Sequence, residues 1–152
     1  MQMLLDDLKI KLSLVIFGRE MMIKLVNGIP EKLVEMDEQV TFVEQMNQDT
    51  GGPIMQINKF NVNPDEVDEF LKAFAATAEV LKRQPGYISA QLHRGIAGSC
   101  VFLNYEVWES AEHFKQAVNS SEFQSSIVGL PPSTVMSPHL FKKVAVPGIC
   151  VE

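Results

Sequence analysis

The order of periodic segments after the first third of the chain constrains the fold more than any other feature. Residues 54–62 are rich in apolar and β-favouring side chains and predict a strand. Asn63 and Pro64 then mark a helix start, because Asn favours the N-cap and Pro suits the first helical position. Apolar side chains follow at helical spacing until Pro85 and Gly86 end the helix.

The later segments complete a recognisable pattern. They are, in chain order, an alternating strand over Tyr87–Arg94, a second alternating strand over 100–108, a helix capped by Ser110 and continued from Ser121, and a last strand over 139–146. The resulting order, βαββαβ, is that of the ferredoxin-like folds. We therefore predict an α+β fold with one antiparallel sheet.

In such a fold both helices cover one face of the sheet and leave the other open. The alternation assigns Phe60, Phe102 and Phe141 to the open face. An exposed apolar sheet face favours a symmetric partner. We therefore predict a homodimer formed by sheet-on-sheet packing, which is a dimeric α+β barrel.

The N-terminal third lies outside this pattern. We predict that residues 1–50 are an extension or arm and that residues 51–152 form the domain. Alternation over residues 8–16 predicts a strand, and residues 40–43 predict a brief strand or extended arm. Gly51, Gly52 and Pro53 are typical of a linker.

Composition and charge exclude several classes of partner and site. The net charge of −6 argues against a general nucleic-acid binder and against an anionic membrane surface. No run of roughly 18 apolar residues and no signal peptide is present, so we expect no membrane span and a cytoplasmic location. The two cysteines and three histidines show no ligand spacing, and we predict no metal site. Free thiols in a reducing cytoplasm are the interpretation we favour for Cys100 and Cys150.

Two residues stand out as candidates for a site. Asn58 is disfavoured in a strand and lies among apolar neighbours, so its amide is expected to meet an interior and to need partners or a ligand. Trp108 ends a strand just before a helix cap, where we expect a pocket mouth. The structural alternative for Asn58 is an amide that bridges backbone groups. For Trp108 it is a core indole whose N–H bonds to a backbone carbonyl.

Residues 54–146 resemble the antibiotic biosynthesis monooxygenase domain of the dimeric α+β barrel superfamily. The resemblance is carried by three segments, which are Ile57-Asn58-Lys59-Phe60, Gln84-Pro85-Gly86-Tyr87 and Tyr105-Glu-Val-Trp108-Glu-Ser110-Ala-Glu-His-Phe114. It implies a monooxygenase that uses O₂ and no cofactor on a small aromatic or quinol-like substrate, with Asn58 and Trp108 as the catalytic pair. Haem-degrading members carry an axial histidine about twenty residues after the Trp, and residues 122–128 hold none, so we do not expect haem degradation.

Further residues are expected to contact the substrate. We expect Tyr87, His93, Arg94 and His113 to assist proton transfer or anion binding, and Phe74 to contact the substrate. The alternative function is a non-catalytic dimeric barrel that binds a small apolar ligand or acts in a stress response, because a fold alone does not fix a function.

Overall fold

The computed structural model describes residues 33–48 and 50–151, so the strand predicted over residues 8–16 lies outside the described part. The elements are α1 (Phe42–Met46), β1 (Ile54–Asn61), a 3₁₀ turn (Pro64–Glu66), α2 (Val67–Lys82), β2 (Tyr87–Arg94), β3 (Val101–Trp108), α3 (Ala111–Val118), α4 (Ser121–Ile127) and β4 (Val135–Phe141). The strands form one antiparallel sheet in the order β2-β3-β1-β4. The predicted α+β, ferredoxin-like fold is confirmed, and its pairing into a dimer stays a prediction.

Capping side chains fix the starts of α3 and α4, the two helices that follow β3. The Ser110 hydroxyl accepts a hydrogen bond from the backbone N–H of His113, which caps α3. The Ser120 hydroxyl does the same for the N–H of Phe123 and caps α4. These bonds satisfy N–H groups that a helix start otherwise leaves unpaired. Within the described part of the chain, no helix is long and apolar enough to cross a membrane.

Three phenylalanine rings form the centre of the core. The Phe70 ring on α2 lies 5.1 Å from the Phe60 ring and 4.9 Å from the Phe102 ring, centroid to centroid. The assignment of Phe60 and Phe102 to the open face is therefore wrong, because both are buried beneath α2. The large rings fill the space between helix and sheet, and their burial contributes strongly to the stability of the fold.

The open face carries a different set of side chains. Val101 and Leu103, which are 39% and 38% exposed, lie there on β3. Phe141 pairs with Met55, whose neighbours Ile54 and Gln56 face the helices, so Phe141 does lie on the open face. That face is apolar in part, and within residues 33–48 and 50–151 no helix packs on it.

One strand boundary and one element type differ from the sequence prediction. The last strand was expected over 139–146 and is observed at Val135–Phe141, because Pro138 does not break it. Since β4 is an edge strand, the missing Pro138 N–H removes no bond that the sheet requires. Residues 40–43 were expected to be extended, but Thr41 starts a helix there through a capping box with Glu44.

Candidate functional site

A cavity of about 450 Å³ lies between the helix-facing side of the sheet and the helices. Its size is within the range of small-molecule sites. The walls are mostly apolar and include Phe42, Val43 and Met46 of α1, Phe74, Ala78 and Leu81 of α2, Phe114 and Val118 of α3, and Phe123 and Ile127 of α4. The floor is polar and consists of Gln56, Asn58, Asn104 and Glu106 on the two central strands.

Strand pairing brings the four floor residues together. In the β1–β3 register Gln56 lies opposite Glu106, and Asn58 lies opposite Asn104. Side chains two residues apart on a strand share a face, so all four project to the helix side. Phe60 lies next to Asn58 on that face and begins the apolar core.

Glu106 is a buried carboxyl group held by two donors. The Asn104 Nδ2 group donates to Glu106 Oε1 over 2.7 Å, and the Trp108 indole N–H donates to Glu106 Oε2 over 2.9 Å. Burial raises the pKa of Glu106, and the hydrogen bonds from Trp108 and Asn104 lower it by less, so the pKa stays above its ordinary value. Glu106 therefore keeps its proton to a higher pH than an exposed carboxyl group would.

Three buried polar atoms around the cavity have no hydrogen-bond partner within the described residues. They are Gln56 Oε1, Thr77 Oγ1 and Asn104 Oδ1, and each belongs to a residue that lines the cavity. A buried polar group without a partner costs about 1–3 kcal/mol. All three atoms can accept a hydrogen bond, so a ligand with hydroxyl groups would satisfy them.

Asn58 and Phe74, two of the residues expected from the sequence, line the cavity. Asn58 Oδ1 accepts a hydrogen bond from the backbone N–H of Ser137 over 3.1 Å, while its Nδ2 group makes no hydrogen bond within residues 33–48 and 50–151. The amide thus bridges to β4 and still leaves two N–H donors for a ligand. The Phe74 ring packs edge-on against Phe60 at 6.2 Å.

Trp108 lies behind the cavity floor. It is fully buried and does not line the cavity, although it shares a sheet face with Asn58. Its N–H is bonded to the Glu106 carboxyl group and not to a backbone carbonyl, and its ring packs edge-on against Phe114 at 5.6 Å and Tyr87 at 5.4 Å. Burial, followed by the charges of nearby carboxylates, raises the pKa of Tyr87.

None of the four residues expected to assist proton transfer or anion binding lines the cavity. Tyr87 packs on Trp108, and exposed His93 pairs with Leu103 on the open face of the sheet. Arg94 lies over the Phe102 ring at 5.4 Å.

His113 sits at the start of α3. Its Nδ1 atom lies 2.9 Å from Ser110 Oγ, and its Nε2 atom lies 3.9 Å from a Glu109 carboxylate oxygen. Gly86 lies against the ring, and its φ of +81° is a backbone conformation that glycine adopts readily. The His113 side chain therefore packs between the start of α3 and the turn before β2 that contains Gly86.

Three residues of the cavity floor were not predicted from the sequence, and they are Gln56, Asn104 and Glu106. The signal was present, because alternation along β3 already places Asn104 and Glu106 on the face that carries Phe102 and Trp108. Assigning that face to the open side of the sheet hid them. Among the described residues, no group of three His, Cys, Asp or Glu side chains is arranged to hold a metal ion.

Comparison with known proteins identifies the domain. Residues 53–127 match the family model for antibiotic biosynthesis monooxygenase. The chain therefore carries an antibiotic biosynthesis monooxygenase domain. Helix α1 precedes the residues that the family model matches. No match was found among curated proteins.

Solved structures resemble the antibiotic biosynthesis monooxygenase domain. SnoaB, a cofactor-independent oxygenase from Streptomyces nogalater, is 25% identical with a TM-score of 0.58, and the match covers 64% of this chain and 99% of SnoaB. A proposed monooxygenase from Shewanella loihica PV-4 is 24% identical with a TM-score of 0.54, covering 66% of this chain and 100% of that one. A proposed antibiotic biosynthesis monooxygenase from Caulobacter crescentus CB15 is 22% identical with a TM-score of 0.57, covering 62% and 92%. The last two likenesses show the fold alone.

Proposed function

We propose that the protein is a cofactor-independent monooxygenase that oxidises a small hydroxylated aromatic or quinol-like molecule with O₂. The observation that carries this proposal is the set of unpartnered, acceptor-capable atoms of Gln56, Thr77 and Asn104 in a mostly apolar cavity. Aromatic walls suit a ring system, and the floor suits its hydroxyl groups. The match to the monooxygenase family and the likeness to SnoaB support the oxygenase chemistry.

The reaction needs no electron source besides the substrate. A substrate hydroxyl group gives its proton to solvent, and the electron-rich phenolate transfers an electron to O₂. The two radicals combine at a ring carbon, and the resulting peroxide takes up a proton from solvent and then loses water to leave a carbonyl. For a dihydroxynaphthalene the balance is one substrate and one O₂ to one hydroxynaphthoquinone and one water. All four electrons that O₂ accepts come from the ring. The protein therefore has to bind, orient and stabilise charge.

We assign the residues as follows. Asn104 Oδ1 and Gln56 Oε1 accept from substrate hydroxyl groups, and the Asn58 N–H groups stabilise the phenolate oxygen. Protonated Glu106 supplies the proton that lets the peroxide oxygen leave as water, and it regains a proton from the ring carbon. Trp108 acts through Glu106 as a positioning residue.

Phe74 packs against the ring of the substrate, and Tyr87 supports Trp108 from behind. We assign no direct contact with the substrate to His93, Arg94 or His113, because none of them lines the cavity.

We further propose that the protein is a cytoplasmic homodimer. Val101, Leu103 and Phe141 lie on a sheet face that no helix among the described residues covers, and a second copy would bury it. The two free thiols fit a reducing compartment.

Oxygen uptake with a panel of dihydroxynaphthalenes and hydroquinones tests the proposed function. We expect Asn58→Ala to reduce kcat by about 10²-fold, the range seen when one charge-stabilising donor is removed. Asn104→Ala removes the hydrogen bond that holds Glu106, the proton donor, and should reduce kcat by a similar factor. Glu69→Ala, on the exposed side of α2 and away from the cavity, is the control and should leave turnover unchanged. Uptake that is absent for every compound, or equal in Asn104→Ala and wild type, would refute the assignment.

The second candidate function is a non-catalytic binder of small apolar ligands. It is favoured by one observation, which is that the Trp108 N–H is engaged by Glu106 and does not reach the cavity. Ligand binding measured by quenching of Trp108 fluorescence, together with no oxygen uptake from any bound compound, would establish this alternative.

A further inference from the structure

A single cationic side chain lines the cavity. Lys115, on α3, is half-buried and belongs to the cavity wall, to which the described part of the chain contributes no other Lys, Arg or His. Asn119 follows four residues later, on the same side of the helix, and also lines the cavity. Lys115 therefore places a positive charge at the edge of a mostly apolar space.

Lys115 lies near the mouth of the cavity. Asn47, at the end of α1, and Asn119, just after α3, are exposed residues of the cavity wall, so the cavity opens to solvent beside them. Helix α1 packs on α3 through the Phe42 and Phe114 rings, whose centroids are 6.0 Å apart. The polar floor lies on the sheet, so the cavity has two separate polar regions, one at the floor and one at the mouth.

The Lys115 charge is not neutralised within residues 33–48 and 50–151, because it forms no ion pair there. Acids of the two helices at the mouth have other partners. Glu112 Oε1, on α3, accepts a hydrogen bond from Gln116 Nε2 over 3.0 Å, and a Glu44 carboxylate oxygen, on α1, accepts one from the backbone N–H of Thr41 over 2.8 Å. The ammonium group can therefore bind an anion.

Asn47 supplies a second donor at the mouth. Its backbone N–H bonds to carbonyl oxygens of α1, but its side-chain amide makes no hydrogen bond within the described residues. The other two amides of the mouth are used, because Asn119 Nδ2 donates to the carbonyl oxygen of Lys115 and Gln124 Nε2 donates to that of Val118. The mouth thus offers one ammonium group and one amide N–H₂ group to a ligand.

We propose that the mouth of the cavity is an anion site, at which Lys115 Nζ and the Asn47 amide bind a carboxylate group of the substrate, so that the substrate is a hydroxylated aromatic acid. One ammonium group balances the single negative charge of a carboxylate, and a hydrogen bond to a charged acceptor is stronger than one to a neutral acceptor. The substrate hydroxyl groups meet the floor, and the carboxylate lies at the opposite end of the ring system. The inference rests on the ligand class of the proposed function and does not depend on oxygenation.

Two compounds of nearly equal size isolate the contribution of charge. In 6-hydroxy-2-naphthoate the hydroxyl and carboxylate groups lie at opposite ends of the fused rings, and 6-hydroxy-2-naphthamide carries a neutral amide in place of the carboxylate. Isothermal titration calorimetry at about pH 7.5 measures both affinities. Lys115→Met keeps an apolar stem and removes the charge, and should weaken naphthoate binding about fivefold, the upper end for a partly exposed ion pair. Naphthamide binding should change by less than about twofold, which also shows that the variant is folded.

Two further lysine variants serve as controls. Lys72→Met removes an exposed charge on α2, away from the cavity, and should leave both affinities within about twofold of wild type. Lys115→Arg keeps the charge and should keep the naphthoate affinity within about twofold. A lysine whose stem only covers apolar wall, with its ammonium group in water, would give the same naphthoate affinity in Lys115→Met as in wild type.

The second donor is tested in the same way. Asn47→Ala should weaken naphthoate binding about threefold, a smaller loss because the amide carries no charge. Gln48→Ala is its control, since Gln48 is the next residue, is exposed and does not line the cavity.

The outcomes separate the anion site from the proposed function. Equal naphthoate affinities in Lys115→Met, Lys72→Met and wild type would overturn the anion site, while naphthamide binding would still support the hydroxyl-binding floor. Wild type that binds neither compound would refute both the anion site and the ligand class of the proposed function. Naphthoate binding that depends on Lys115, without oxygen uptake from any dihydroxynaphthoate, would support the anion site and refute the oxygenase.

Discussion

The raised pKa of Glu106 gives a prediction about stability whose sign and slope follow from the structure. Glu106→Gln keeps the size of the side chain and resembles the neutral acid, with one acceptor oxygen and one donor group. The folded state binds the Glu106 proton more tightly than the unfolded chain does, because burial raises the folded pKa above the ordinary value of 4.5. The stability that this proton contributes is fully present below the unfolded pKa and is lost as pH rises toward the folded pKa.

The size of the effect is set by one proton. Between the unfolded and folded pKa values, wild type should lose up to about 1.4 kcal/mol of unfolding free energy per pH unit relative to Glu106→Gln. Above the folded pKa the difference should level off, and the pH of the bend reports that pKa.

Urea unfolding followed by Trp108 fluorescence, at fixed protein concentration from about pH 5 to pH 8, measures this difference. Glu69→Gln on the exposed side of α2 corrects for the loss of a carboxylate as such. A wild-type minus Glu106→Gln difference that is flat across this range would refute the reasoning, because Glu106 would then ionise as an exposed group does.

Two further predictions concern packing. Phe70→Ala removes the ring between Phe60 and Phe102 and should cost about 3–5 kcal/mol of unfolding free energy, measured by urea unfolding; a loss below about 1 kcal/mol would contradict the core described here. Gly86→Ala places a Cβ within 2.3 Å of the His113 ring at a φ of +81°, and should destabilise by about 1–3 kcal/mol more than Gly52→Ala, where the φ is also positive but no atom is near.

The order of elements could be predicted because each one carries local signals. Ser110 caps α3 as the sequence indicates, and the alternation over Tyr87–Arg94 matches β2. Over residues 40–43 the prediction was wrong because a second local rule applied. The Thr41–Glu44 capping box starts a helix where apolar periodicity indicated an extended arm.

The candidate site depended on information that the local pattern does not contain. Alternation shows which β3 residues share a face, but whether that face meets the helices or the open side depends on packing against α2. Asn58 was identified because it is unusual in a strand. Its cross-strand neighbour Asn104 and the buried Glu106 became apparent only with the β1–β3 register and the burial of that face.

The central claim is that this cavity performs oxygenation with O₂ and the electrons of its substrate. The most direct test incubates the protein with 1,5-dihydroxynaphthalene under ¹⁸O₂ and measures the mass of the quinone product. We predict one ¹⁸O atom in each hydroxynaphthoquinone and one in water, formed at a rate that falls about 10²-fold in Asn104→Ala. A product that carries no ¹⁸O, or labelled product formed equally fast by Asn104→Ala, would contradict the account.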